Sequence, residues 1–146
     1  MLVSDNPLSG EVIALFARIT DRYSREYETA AARHGLTPQQ VKALITLEEA
    51  DLPMRRLAER LQAEPSNLTG IVDRLQSRGL VERHPDPGDR RVKLLALTDV
   101  GHATARDLRD RLRFARNPLA ALDDGQRRTL RDLLHLMADS PEPPPV

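Results

Sequence analysis

Between Met54 and Leu97 two short apolar-striped segments, separated by a tight connection, are followed at once by two strand-like runs around a proline-rich turn. This order constrains the chain more than any other feature. Met54, Leu57, Ala58 and Leu61 recur at steps of three and four, the helix period, and so do Leu68, Ile71, Val72 and Leu75. Gln62-Ala63-Glu64 makes the connection, Pro65 suits a first helical turn, and Gly79 stops the second helix. Small Ala58 lies where two such helices cross closely. Leu80-Val81-Glu82-Arg83-His84, the turn formers of residues 85–89 and the Val- and Leu-rich residues 91–97 read as a β-hairpin. Helix, turn, helix and hairpin in that order make a winged helix. In that fold the second helix fits a major groove and the hairpin lies beside it.

The flanks are helical. Leu8, Val12, Leu15, Ile19, Tyr23, Tyr27 and Ala30 predict a helix over residues 8–34, capped by Ser9 or Asn6 and ended by Gly35. Its length exceeds what a small domain needs and suggests a partner helix. Thr37-Pro38-Gln39-Gln40 carries a capping box and starts a helix ending near Ala50, after which Asp51-Leu52-Pro53 breaks the chain. Thr98 caps a helix from Asp99 to about Arg116, interrupted at Pro118. Asp123 and Gln126 start another, with Leu130, Leu133, Leu134 and Met137 as its apolar stripe. The proline-rich residues 140–146 are expected to be disordered. The expected fold is mainly α: four helices, a β-hairpin and two helices in a single domain.

If the second helix of the pair reads DNA, its first turns must carry groups that address bases and phosphates. Pro65, Ser66, Asn67, Thr69 and Gly70 stand there, with Arg74 and Arg78 following on the polar side. Hydroxyls and an amide suit phosphates and base edges, Gly70 permits close backbone approach, and a helix N-terminus attracts phosphate. At the hairpin tip, Arg90 or Arg91 can enter a minor groove, where the potential is strongly negative. Asp89 fits beside them as a partner that directs an arginine. Singly, each of these residues is an ordinary cap or solvated surface group; together they carry the reading.

Net charge is formally zero, so any nucleic-acid affinity depends on where charge sits. Of the 22 basic residues only Lys42 and Lys93 are lysine. Across residues 54–93 nine cations face six anions. With no cysteine, disulfides, thiolate metal sites and thiol redox sensing are impossible. His34, His84, His102 and His135 lack any close paired spacing, so no metal or other cofactor is expected. No apolar run approaches bilayer length, and MLVSDNPLSG is not a secretory signal, so no membrane partner and a cytoplasmic location are expected. No nucleophile elbow, phosphate-binding glycine loop or paired catalytic carboxylates occur, so the chain does not read as an enzyme. A winged-helix module that binds only protein is the alternative.

The run MRRLAERLQAEPSNLTGIVDRLQSRGLVERHPDPGDRRVKLLALTDVG resembles the MarR family of bacterial transcription regulators. Asp89-Arg90-Arg91, Leu97-Thr98-x-x-Gly101 and Leu75 with Arg78-Gly79-Leu80-Val81 carry the resemblance, over residues 54–101. It implies a homodimer whose interface is made by residues 8–34 and 102–138, with residues 37–100 as the DNA-binding lobe. It also implies double-stranded DNA with an inverted-repeat operator as partner, and repression by promoter occlusion. Release would follow binding of a small ligand, often an aromatic acid. By the same resemblance Arg91 is the minor-groove residue, Asp89 its orienting partner, and residues 65–70 the major-groove readers. Phe16, Tyr23, Tyr27 and Phe114 are the aromatics available to such a ligand.

Overall fold

A computed structural model describes residues 6–141. Of the tail expected to be disordered, residues 142–146 lie outside the described residues. The chain divides into one unit running to Arg116 and a second beginning at Asn117.

In the first unit, helix α1 spans Pro7–Arg33. Asn6 caps it, its side chain accepting from the Leu8 N–H at 3.0 Å. Gly35 ends it at φ 61°, a left-handed conformation that favours glycine, and the Leu36 N–H closes back on the Ala31 carbonyl at 3.0 Å. Helix α2, Pro38–Glu49, opens on the expected capping box: Thr37 Oγ1 accepts from the Gln40 N–H, and Gln40 Oε1 from the Thr37 N–H at 2.9 Å.

Asp51-Leu52-Pro53 is not only a break. Leu52–Pro53 forms a short strand β1 that pairs antiparallel with β3, Lys93–Leu97, placing Leu52 opposite Leu95. Two residues are too few for an alternating pattern to reveal, and Pro is tolerated there because the strand is an edge. Helix α3, Met54–Leu61, follows, then α4, Pro65–Ser77. Gln62 makes the turn between them in the left-handed region, at φ 51°. Strand β2, Val81–Pro85, pairs with β3 from Val81↔Leu97 to Pro85↔Lys93, giving the sheet order β1-β3-β2. The hairpin is therefore one side of a three-stranded wing. Pairing begins at Lys93, so Arg91 belongs to the connecting loop rather than to the strand.

Helix α5 spans Asp99–Arg111, shorter than the expected run to Arg116. Tertiary contact ends it before Pro118 could. The Glu26 carboxylate on α1 accepts from the N–H groups of Phe114 and Ala115 at 3.1 and 2.6 Å, replacing the carbonyls a continued helix would supply. Leu44, Leu47, Leu57, Leu68, Leu75, Leu95 and Leu108 are wholly buried and make the core of this unit, with no aromatic larger than Tyr27 contributing. Leucines on several helices can fill a core alone because they interdigitate in ordinary rotamers.

In the second unit, Asp123 and Gln126 form the expected capping box and α6 spans Asp124–Ala138. Its Leu133, Leu136 and Met137 are more than half exposed. Apolar Leu8, Val12, Ile13, Phe16 and Ile19 on α1 are likewise at least half exposed. No helix among the described residues is long and apolar enough to cross a membrane.

Among the glycines, Gly101 lies tightest against another stretch of backbone. A Cβ there would stand 2.0 Å from the Leu80 carbonyl oxygen, which is backbone and cannot swing aside. Gly101→Ala is therefore expected to destabilise the fold by about 1–3 kcal/mol or more, as an overpacked site does. Urea unfolding followed by circular dichroism checks this, and an unchanged midpoint would contradict the close packing of α5 against the start of β2.

Candidate nucleic-acid interface

Helix α4 is oriented by its own apolar stripe. Leu68, Val72 and Leu75 have no exposed surface, so the remaining positions are turned outward. Pro65, Ser66, Asn67, Thr69, Gly70 and Arg74 are all exposed. Glu64 stands at the N-cap position without a side-chain cap hydrogen bond, so its side chain does not occupy the free N–H groups of the first turn. The Thr69 hydroxyl donates to the Pro65 carbonyl at 3.0 Å and keeps its oxygen lone pairs free. A Cβ at Gly70 would meet nothing within 4 Å, so no internal crowding requires glycine there. A groove of about 690 Å³ runs beside these residues, with Gln39 and Lys42 of α2 along one side and Asn67, Gly70 and Arg74 along the other. Lys42 reaches this groove with its ammonium over the Tyr23 and Tyr27 rings, at 5.7 and 5.2 Å. Sequence periodicity gave no reason to place Gln39 and Lys42 beside α4; only the packing of α2 on α4 does.

The wing loop is built by short-range hydrogen bonds. Asp86 Oδ1 accepts from the Gly88 N–H at 2.8 Å, and the Asp86 N–H donates to the Val92 carbonyl at 2.9 Å. The Val92 N–H donates to the Asp89 carbonyl at 2.9 Å. Asp89 Oδ1 accepts from the Arg91 backbone N–H at 3.1 Å, whereas the Arg91 Nε lies 3.9 Å away. In this structure Asp89 thus directs the Arg91 backbone more than its guanidinium. The Arg91 side chain is 95% exposed, and Arg90 is exposed beside it.

Several acids that would oppose a polyanion are already paired. Asp73 on α4 accepts from Arg83 on β2 at 2.9 Å, and Glu59 is held by Arg55 and Arg56. His84 lies 3.4 Å from Asp51, joining β2 to the segment before β1. Arg78 is placed differently from Arg74. Its guanidinium donates to the carbonyls of Gly35 and His34 at 2.9 and 2.6 Å, at the end of α1. The residues brought together outward are thus Ser66, Asn67, Thr69, Gly70 and Arg74 on α4, and Asp89, Arg90 and Arg91 on the wing. Among the described residues no group of three or more His, Asp or Glu is placed to hold a metal ion.

A model of the MarR family matches residues 34–92, which contain α2, α3, α4 and β2. The HTH-type transcriptional repressor MdtR of Bacillus subtilis is 37% identical over 101 residues, 68% of this chain and 61% of that protein. The chain belongs to the MarR family of transcription regulators. Its alignment spans less than two thirds of that relative's length. Two solved structures extend the likeness to nearly the whole chain. CouR from Rhodococcus jostii RHA1, bound to p-coumaroyl-CoA, is 29% identical with a TM-score of 0.73, over 96% of this chain and 99% of CouR. A MarR mutant from E. coli complexed with operator DNA is 27% identical with a TM-score of 0.64, over 90% of this chain and 99% of that one. The winged helix, mainly α, is the architecture they share with this chain. The family's members are regulators rather than enzymes.

Behind the interface, His34 Nε2 lies 2.7 Å from Asp107 Oδ2, and Arg111 donates to both Asp107 oxygens at 2.9 and 3.1 Å. The Arg111 guanidinium, and after it the His34 ring, hold the Asp107 carboxyl below its ordinary 3.8, down to about 2. A depressed carboxylate stabilises the fold above its unfolded value and ceases to do so as pH falls through its folded one. The stability gap between wild type and Asp107→Asn should therefore be full at neutral pH and close as pH drops from 3.8 to about 2. Urea midpoints across that range check it; a gap that stays constant would contradict the pairing.

Proposed function

We propose that this MarR-family chain is a sequence-specific DNA-binding transcription regulator, acting as a homodimeric repressor on an inverted-repeat operator. One observation carries the reading: α4 and the wing loop turn their polar and cationic groups outward, while the acids Asp73 and Glu59 are absorbed in ion pairs. Pro65, Ser66, Asn67, Thr69 and Gly70 are then the major-groove readers, Arg74 a backbone contact, and Arg90 and Arg91 the minor-groove residues. The operator complex of the E. coli MarR mutant supports DNA as the partner. A second copy covers the exposed apolar faces of α1 and of α6, since contiguous exposed apolar surface marks an association site. A twofold axis presents two α4 helices to half-sites about one helical turn apart.

Release by a small aromatic anion fits a pocket of about 400 Å³ on the first unit. Leu15, Ile19 and Phe114 supply an apolar wall, and Arg18, Arg22 and Arg25 supply cations. Arg22 lies 4.1 Å from the Phe114 ring centroid, so a cation already stands against the aromatic side of this pocket. The ligand carried by CouR, an aromatic acyl-CoA, supports this class. An effector of this kind releases DNA only by binding the non-DNA geometry more tightly.

Mobility-shift titration against the DNA upstream of the protein's own gene tests the main reading. Binding should weaken steeply with salt, and Arg91→Ala should weaken it about 10- to 100-fold, the worth of about 1–3 kcal/mol for a good groove contact, without changing the melting temperature. No shift on any duplex at low salt would instead favour a module that binds only protein. For the effector, benzoate-type acids should raise the melting temperature of wild type and not of Arg22→Ala; equal shifts in both would remove this pocket from consideration.

A further inference from the structure

Arg78 occupies the C-cap of α4, at the far end from the readers, and its side chain leaves α4 altogether. One terminal nitrogen donates to the Gly35 carbonyl and the other to the His34 carbonyl. These two oxygens belong to the end of α1, where the last carbonyls of a helix lack partners and the helix dipole is negative. A two-pronged guanidinium on successive carbonyls satisfies both and fixes direction as well as distance. The same corner is pinned from its other side, because Asp107 on α5 holds the His34 ring while Arg111 holds Asp107. Elsewhere α4 is seated by Leu68, Val72 and Leu75, and apolar burial is non-directional.

We propose that Arg78 is a positioning residue that ties α4 to the end of α1 and thereby sets the separation of the two α4 helices in the dimer. The inference rests on the reading of the chain as a dimeric DNA-binding regulator. The 13 residues of α4 span about 20 Å at the usual rise, so a tilt of about 5° at the Arg78 end moves the readers by about 1.7 Å. In two subunits that amounts to about 3.4 Å, one base-pair step of DNA. A regulator that measures half-site spacing to the base pair needs this end of the helix held. The assignment also moves Arg78 out of the set of DNA contacts, where its sequence position alone would put it.

The test uses the inverted repeat recovered from random duplex by in vitro selection, with two derivatives carrying one base pair more or less between half-sites. Affinities of wild type, Arg78→Ala and Arg78→Lys are read by fluorescence anisotropy at several salt concentrations. Wild type should lose about tenfold or more on either altered spacing, as a misplaced half-site does. Arg78→Ala should lose about tenfold on the selected repeat, discriminate among the three spacings by only about threefold, and keep the wild-type salt slope. Arg78→Lys keeps the charge without the two-pronged fork and should show the same flattened spacing preference; it also serves if Arg78→Ala fails to fold. An equal loss on all three duplexes, with a shallower salt slope that Arg78→Lys restores, would make Arg78 a phosphate contact and overturn the proposal. Unchanged affinity in both variants overturns it too. A wild-type protein that selects no DNA sinks the underlying reading itself, an outcome distinct from either.

Discussion

Burial of Leu68, Val72 and Leu75 is the constraint on which the proposed function of this protein depends. Three side chains at helical spacing, each fully withdrawn from water, leave α4 one rotational setting about its axis. Turning it would expose aliphatic surface worth about 1.5–3 kcal/mol per residue. That setting turns Ser66, Asn67, Gly70 and Arg74 to solvent together. The outward face of α4 is thus a by-product of its inward one. The chain needs no aromatic cluster for this, because leucines from α2, α3, α5 and β3 complete the core.

A formally neutral chain can still offer a surface suited to a polyanion, and here ion pairing does the sorting. Arg83 neutralises Asp73 on the same helix that carries the proposed readers, and Arg55 and Arg56 neutralise Glu59. Such exposed pairs add little stability. Their effect is to occupy carboxylates near α4, while Arg74, Arg90 and Arg91 stay exposed. In the wing, Asp86 and Asp89 each spend one carboxylate oxygen on a backbone N–H group of the loop. Acids that look out of place in the sequence therefore act as turn formers. The electrostatic steering expected of the protein comes from arrangement rather than from total charge.

Much of the fold could be read from local signals. Helix starts at Thr37, Thr98 and Asp123 carry side chains that satisfy free N–H groups, and such caps are strictly local. The apolar periods of α3 and α4 and the turn residues of the wing are local as well. What stayed hidden depends on contacts far apart in sequence. Strand β1 exists only because Leu52 meets Leu95, and α5 stops at Arg111 only because Glu26 reaches Phe114 and Ala115. Within the candidate site, the exposure of Ser66, Asn67, Thr69 and Gly70 around buried Leu68 follows from the apolar period, so their grouping was legible. The engagement of Arg78 with His34 and Gly35 was not, since an arginine at a helix end reads the same whether it meets a phosphate or a carbonyl. The bonding of Asp89 to the Arg91 backbone was equally beyond reach, because a hydrogen bond to an N–H leaves no mark on residue type.

The central claim is that two copies of α4 lie in successive major grooves with a wing arginine in the flanking minor groove. Hydroxyl-radical footprinting reads the minor-groove face of the backbone base by base, and so tests this arrangement most directly. The account predicts two symmetric protected regions whose centres are about one helical turn apart, each with an outer patch that vanishes in Arg91→Ala while the rest persists. A single unsymmetric region, or outer patches untouched by the loss of Arg91, would contradict it.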